Sequence, residues 1–419
     1  MTSSVAQVVE YLSASGLLTA EEVRALESSL NPTQRNQEAG GFLQQLVREN
    51  RLTDYQAAQL RAGRADRLFL GSYHIQESIY QGELIEVLKA KDSNTGRMVA
   101  LKILLPEAAK RKDSSYRFDR EVQAAAKVSH PNIVAAYDSV IDGETQYLVM
   151  EYVDGPTLTQ YVREFGPMPV DEALHCVYQA ARGLEHAHSK RIIHRDVKPD
   201  NLLMDQEGTV KILDLGLVRF DHAPALGRRP ESIQRLTQQG VMLGTVDFMS
   251  PEQCENPQNA SYQSDIYSLG CTLYYLLFGE SPFARETAMG TLMAHQNDPT
   301  PDMRQLRRDI SPAVQMIFER MMAKTLKERY ESMDELIQDL ETVISRDLIY
   351  EDGEGPQGGS GSIAKLFVGG VVGALIGALG TFAVGVVVLD EIALLFWLLV
   401  AAGGLIGLLL GIAIAKFRS

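Results

Sequence analysis

Cysteine is scarce in this chain, with three residues, Cys176, Cys254 and Cys271, among 419. So few thiols, so widely spaced, exclude a disulfide framework and a CxxC metal site. Buried, reduced thiols in a cytosolic domain are expected instead. A basic excess is also lacking: 40 Lys and Arg face 54 Asp and Glu, for a formal net charge of −14. Binding to nucleic-acid phosphates needs a basic face, so no nucleic-acid partner is expected. The start, MTSSVAQVVEYLSASG, lacks both a basic stretch and a long apolar core, so no signal peptide is expected. With 45% hydrophobic residues the chain has enough apolar side chains to fold rather than stay disordered.

Four regimes follow one another. Residues 1–70 carry two similar helical units: Leu12, Leu18, Thr19 and Leu26 recur as Leu46, Leu52, Thr53 and Leu60. Each unit is an apolar helix, a break at Gly16 or Asn50, and a second helix. Thr19 with Glu22, and Thr53 with Gln56, have the spacing of capping boxes. Asn31-Pro32 is expected to separate the units. Two units are short of a solenoid. The region reads as a helical interaction module for a partner that the sequence does not name. Residues 71–350 place β-rich runs (YHIQESI, IEVLKAKD, MVALKIL, YLVMEYV) ahead of longer helical patterns, a two-lobed α+β arrangement. Residues 351–362, EDGEGPQGGSGS, have the composition of a flexible linker.

In residues 363–419 charge is nearly absent. The stretches 366–389 and 392–415 contain no charged side chain, and only Asp390-Glu391 separates them. A span of about 20 apolar residues crosses a bilayer as a helix, so a two-helix transmembrane hairpin is expected. Lys365, Lys416 and Arg418 flank it, which puts the N-terminus, the central domain and the C-terminus on the cytoplasmic side of the cell membrane. Gly369, Gly373 and Gly377, then Gly403, Gly407 and Gly411, recur every four residues. Such stripes suit close helix approach, within the hairpin or between chains. They also fit the ordinary glycine content of membrane helices. The segment 331–354 holds nine acids against Arg346 alone, and anionic lipid should repel it.

The chemistry concentrates in His194-Arg195-Asp196-Val197-Lys198-Pro199-Asp200-Asn201, followed by Asp214-Leu215-Gly216 after the β-like run TVKIL. An Asp that takes a hydroxyl proton, a Lys two residues on, and Asn and Asp as oxygen ligands for Mg²⁺ form a set suited to phosphoryl transfer. Upstream, Val99-Ala100-Leu101-Lys102 ends in a lysine that Glu121 of a helical stretch can pair with. Downstream stands Ser250-Pro251-Glu252.

In that order and spacing, these motifs resemble the eukaryotic-like (Hanks-type) serine/threonine protein kinases, especially membrane-anchored bacterial members. The resemblance covers roughly residues 73–345. It implies a bilobal kinase fold, with a small β-rich N-lobe and a larger helical C-lobe, that transfers phosphate from Mg-ATP to protein substrates. It further implies a catalytic role for Asp196, Lys198 and Thr245, and Asn201 and Asp214 as metal ligands. Lys102 with Glu121, and Ile79, Gly82, Val87, Ala100, Met150, Glu151 and Val153, would form the nucleotide site, with Tyr152 in the hinge. His130-Pro131-Asn132-Ile133-Val134 matches the turn after the Glu121 helix. Asp265 would support the catalytic loop, and Arg329 would pair with Glu252. Lys198 and Thr245 fit the serine/threonine class. Arg195 implies control by phosphorylation of the 214–252 segment, where Ser232 and Thr237 are the candidate acceptors.

One motif departs from the family pattern GxGxxGxV. The chain reads Tyr80-Gln81-Gly82-Glu83-Leu84-Ile85-Glu86-Val87, keeping only the middle glycine and the valine. Glycines there let the backbone approach phosphates closely. An active kinase with an altered loop is the expectation, and a pseudokinase scaffold is the alternative.

Overall fold

A computed structural model describes residues 4–30, 33, 38–143, 145–215 and 246–350. These all fall within one compact unit, Met1–Gly353. The linker at 351–362, both apolar stretches, Ser232, Thr237 and Thr245 lie outside the described residues. Among the described residues no helix is long and apolar enough to cross a membrane.

The N-terminal region forms α1 (Val5–Ser15), α2 (Ala20–Ser29), α3 (Gly40–Arg48) and α4 (Asp54–Arg61). Val5, Val8, Val9 and Leu12 fall on one face of α1 at helical spacing. They bury against Val23, Leu26, Leu43, Leu46 and Leu60 in one small core. Both breaks are left-handed, with φ of 69° at Gly16 and 55° at Asn50. Thr19 caps α2 and Thr53 caps α4, each as a reciprocal capping box. Asn31 and Pro32 lie outside the described residues.

The chain next builds an antiparallel sheet. Its strands are β1 (Phe69–Leu70), β2 (Tyr73–Gln81), β3 (Ile85–Asp92), β4 (Met98–Leu104), β5 (Ala136–Asp142) and β6 (Thr145–Glu151), in the order β1-β2-β3-β4-β6-β5. Two helices, α5 (Pro106–Ala109) and α6 (Lys112–Ala125), interrupt it between β4 and β5. Period-two alternation sorts the side chains of β4. Val99, Leu101 and Ile103 join the outer core with Ile75, Leu88 and Tyr147. Ala100 and Leu104 join the inner core with Phe118 of α6, Leu148 and Met150. Lys102, between them in sequence, is thereby fixed on the inner face, opposite Val87 of β3 and Leu148 of β6.

The helical lobe contains α7 (Leu158–Phe165), α8 (Val170–Ser189), the hairpin β7 (Leu202–Met204) and β8 (Val210–Ile212), α9 (Pro251–Glu255), α10 (Tyr262–Phe278), α11 (Ala288–Asn297), α12 (Met303–Leu306), α13 (Pro312–Met321) and α14 (Met333–Tyr350). Helix α10 is buried on nearly every side, as its apolar circumference requires. It packs on α8, and α8 packs on α14. The acids of α14 are partly engaged by the lobe. Glu335 pairs with Arg320, Asp339 accepts from Tyr330, and Glu341 accepts from Tyr178.

Candidate active site

The site is assembled where the sheet, α6, the 194–201 loop and the end of β8 meet. Lys102 Nζ lies 2.5 Å from Glu121 Oε1 and 2.7 Å from Asp214 Oδ1. The lysine side chain is 5% exposed, Glu121 20% and Asp214 41%, so the two carboxylates differ in their access to water. Burial opposes the Lys102 charge, but the two carboxylates outweigh it and hold the ammonium above the ordinary lysine range. Burial likewise opposes ionisation of Asp214, yet the adjacent Lys102 charge and hydrogen bond keep it below the usual carboxylate range. Glu121 is pushed up to about 7, first by burial, with Asp214 adding to it and Lys102 offsetting part. One ammonium does not compensate two carboxylates, and the drier one bears the cost.

The 194–201 loop is held by a second carboxylate. Asp265, 1% exposed at the start of α10, accepts the backbone N–H of His194 at 2.9 Å and of Arg195 at 2.8 Å. His188 Nε2 lies 2.8 Å from the same carboxylate. Two converging amides fix the loop where Arg195 takes a φ of 68°, a left-handed conformation that costs a non-glycine residue energy. His194 is fully buried and its tautomer follows from its neighbours. Nδ1 accepts from Asp196 N at 3.3 Å, so Nε2 donates to Leu213 O at 2.9 Å. That bond ties the loop to the residue before Asp214. Asp214 itself has a φ of 46°, a second strained position, braced by Leu213 N donating to Asn201 O at 2.8 Å.

Within the loop, Asn201 Nδ2 donates to Asp196 O at 2.7 Å and to Asp196 Oδ2 at 3.0 Å. Lys198 Nζ lies 3.3 Å from the same Oδ2. Asp196, Lys198, Asn201, Asp214, Lys102 and Glu121 are thus connected through direct contacts and the Leu213 backbone. Asn201 spends its amide nitrogen on Asp196, which leaves its oxygen as a donor for a cation.

The other sequence-derived nucleotide residues fall as follows. Val87 pairs with Lys102 across β3 and β4, and Ala100 pairs with Met150 across β4 and β6, all on the inner face. Val153 is buried. Glu151 accepts from Lys211 Nζ at 2.9 Å and from the Ala135 N–H. Lys89 places its ammonium 4.2 Å from the centre of the Tyr152 ring. Ile79 is 49% exposed and occupies a break in the β2 register, between Ser78 and Tyr80. The altered loop closes as a tight hairpin, with Gly82 N donating to Ile85 O at 2.9 Å. The Tyr80 ring folds across Gly82, so a Cβ at position 82 would sit 2.7 Å from the Tyr80 hydroxyl. Any larger residue at 82 would have to displace that ring.

Glu252 and Arg329 meet below the loop, with Nη1 to Oε1 at 2.9 Å. Gln253 was not singled out from sequence. Its side chain, 2% exposed, donates to Arg195 O at 3.1 Å while closing a capping box with Ser250. The spacing Ser250-x-x-Gln253 is the signal that could have found it.

Comparison with known proteins agrees with this geometry. The protein kinase domain family matches residues 73–340. A probable serine/threonine-protein kinase PknB of Lactococcus lactis is 36% identical over 282 residues, covering 67% of this chain and 43% of its own. The serine/threonine-protein kinase PrkC of Bacillus subtilis is 36% identical over 281 residues, covering 67% and 42%. PknB of Mycobacterium tuberculosis is 35% identical over 273 residues, covering 64% and 42%. The chain spans less than half the length of these curated relatives. The family match takes in the paired Lys102 and Glu121, the Asp265-held loop and Asp214, and on these grounds the chain belongs to the protein kinase domain family.

Proposed function

We propose that this chain is a membrane-tethered serine/threonine kinase that uses Mg-ATP to phosphorylate hydroxyls of protein substrates, its own 214–252 segment among them. The observation that carries the reading is Lys102 bonded at once to Glu121 and Asp214. Two carboxylates around one lysine leave an excess of negative charge, which a divalent cation carrying the nucleotide phosphates would offset. Lys102 binds the α- and β-phosphates. Val87, Ala100, Met150, Val153 and Ile79 enclose the base, Glu151 belongs to the hinge beside it, and Gly82 covers the phosphates.

The oxygens of Asn201 and Asp214 suit Mg²⁺, which takes few protein ligands and completes its shell with phosphate and water. When bound, the ion neutralises charge on the transferring group. Asp196 accepts the substrate hydroxyl proton. Lys198 offsets charge on the phosphoryl group, and Thr245 bonds the pair. Arg195, whose Nε is buried without a partner among the described residues, receives phosphate placed on Ser232 or Thr237.

The division into a helical module (1–70), kinase domain (71–350), linker (351–362) and two-span anchor (363–419) belongs to the same reading. Both ends of the chain are cytoplasmic, and the glycine stripes support self-association in the membrane. Removing residues 363–419 should move the protein from the membrane to the soluble fraction with activity intact; a truncated chain that stays in membranes refutes the anchor. The kinase reading is tested by adding ATP with and without Mg²⁺ to the full chain in a thermal melt. Mg²⁺-dependent stabilisation is expected, and an unmoved midpoint at saturating ATP favours the scaffold.

A further inference from the structure

The two N-terminal units share a pattern and differ at one telling place. In the first, the capping box is self-contained: the Thr19 hydroxyl donates to Glu22 Oε2 at 2.7 Å. In the second, the same hydroxyl turns outward and Thr53 Oγ1 donates to Gln76 O at 2.5 Å. Gln56 occupies the position of Glu22. It accepts from Thr53 N at 3.0 Å through Oε1 and donates to Ile75 O at 2.8 Å through Nε2. Only an amide does both, because a carboxylate there would set an acceptor against a carbonyl. Gln56 is 3% exposed, so this contact is sealed from water. Tyr55, at the position of Glu21, packs against both the helical core and the outer core of the sheet.

The carbonyls bound are special too. Ile75 pairs with Ala90 and Glu77 with Lys89, so Gln76 is the extra residue of a β-bulge. A bulge leaves backbone groups outside the ladder and bends its strand. Here Thr53 and Gln56 supply the missing partners. The bulged strand is β2, whose far end carries Tyr80 and leads into Gly82 of the nucleotide loop, about 13 Å and about 20 Å away at roughly 3.3 Å per residue.

We infer that Thr53 and Gln56 are positioning residues for ATP: the second helical unit clamps the β2 bulge and thereby sets the height of the phosphate loop over the cleft. A residue-by-residue difference between two otherwise similar units points to this role, since the first unit keeps its cap without the clamp. The inference rests on the kinase reading for its effect on ATP, but the clamp itself does not.

The test is Gln56→Glu in the full chain in detergent micelles, beside Glu22→Gln as control. Glu22 shows that a glutamate serves the cap, so α4 should survive while the bond to Ile75 O is lost. Gln56→Glu should raise KM for ATP about five- to tenfold with kcat changed by less than about twofold. Without nucleotide, hydrogen exchange in residues 75–82 should quicken, while Glu22→Gln leaves KM and exchange unchanged. Thr53→Ser, which keeps the hydroxyl, should match wild type, and Thr53→Val should follow Gln56→Glu. Unchanged exchange in 75–82, an unchanged KM, or equal effects from both units would overturn the inference. If the wild-type chain turns over no ATP, the kinase reading fails, and the nucleotide-free exchange rates still decide the clamp.

Discussion

Asp196→Asn should reduce phosphate transfer by about 10²- to 10⁴-fold, the range expected when a positioned general base is lost. The substitution is nearly isosteric. Asn201 can still donate to the side-chain oxygen at position 196, and the backbone is still held through Asp265. Folding and nucleotide binding should therefore survive. The asparagine offers an amide that does not take up the hydroxyl proton. Lys198, 3.3 Å from the lost charge, would also lose its carboxylate neighbour. The measurement is steady-state incorporation of labelled phosphate, with the melting midpoint and ATP affinity taken on the same sample. Wild-type turnover by a folded variant would remove Asp196 from the mechanism.

Arg329→Ala should destabilise the chain by about 3–5 kcal/mol, the cost of leaving a buried charge uncompensated. Arg329 is 1% exposed and is the largest fully buried side chain among the described residues. Its guanidinium donates to Glu252, to Ala323 O and to Gln263 O. The variant strips Glu252 of its charge partner, leaving it the Ser264 hydroxyl, and takes the guanidinium from both carbonyls. Arg329→Lys should recover little, because a point charge does not replace a fork with several donors. The same pair predicts an acid dependence. Burial pushes the Glu252 carboxyl up, but the hydrogen bond and charge of Arg329, aided by Ser264, outweigh it and hold it below its ordinary value. A carboxyl lowered in the folded state contributes stability that is complete above its unfolded value and lost as pH falls through the folded one. Denaturation midpoints should therefore drop below about pH 4 in the wild type. They should drop less steeply in Glu252→Gln, already weakened at neutral pH. Equal acid slopes would show that this pair does not govern the acid limb.

Local chemistry was the legible part. Gly16 and Asn50 stand at helix breaks, and Thr19, Glu22, Thr53 and Gln56 form the caps their spacing implies, because each depends on residues within a turn. The constellation proposed as catalytic was readable for another reason: Asp196, Lys198 and Asn201 fall within six residues of one loop. Strand β5 was not anticipated. It is an edge strand, exposed along most of its length, so its residues show no alternation. The support of the site was legible only by resemblance or not at all. The grip of Asp265 on the His194 and Arg195 amides, the bond from Gln253 to Arg195 O, and that from Gln56 to Ile75 O join residues 19 to 71 apart. No spacing rule encodes such pairs. The loop departure at Tyr80 was visible as a missing glycine, whereas the ring lying on Gly82 emerged only from the fold.

Identifying the residues phosphorylated when the full chain meets Mg-ATP and a generic protein substrate bears most directly on the kinase assignment. New phosphoserine or phosphothreonine is expected, with ATP converted to ADP in step. A folded chain that binds Mg-ATP and yet places no phosphate on any serine or threonine, its own included, would contradict it.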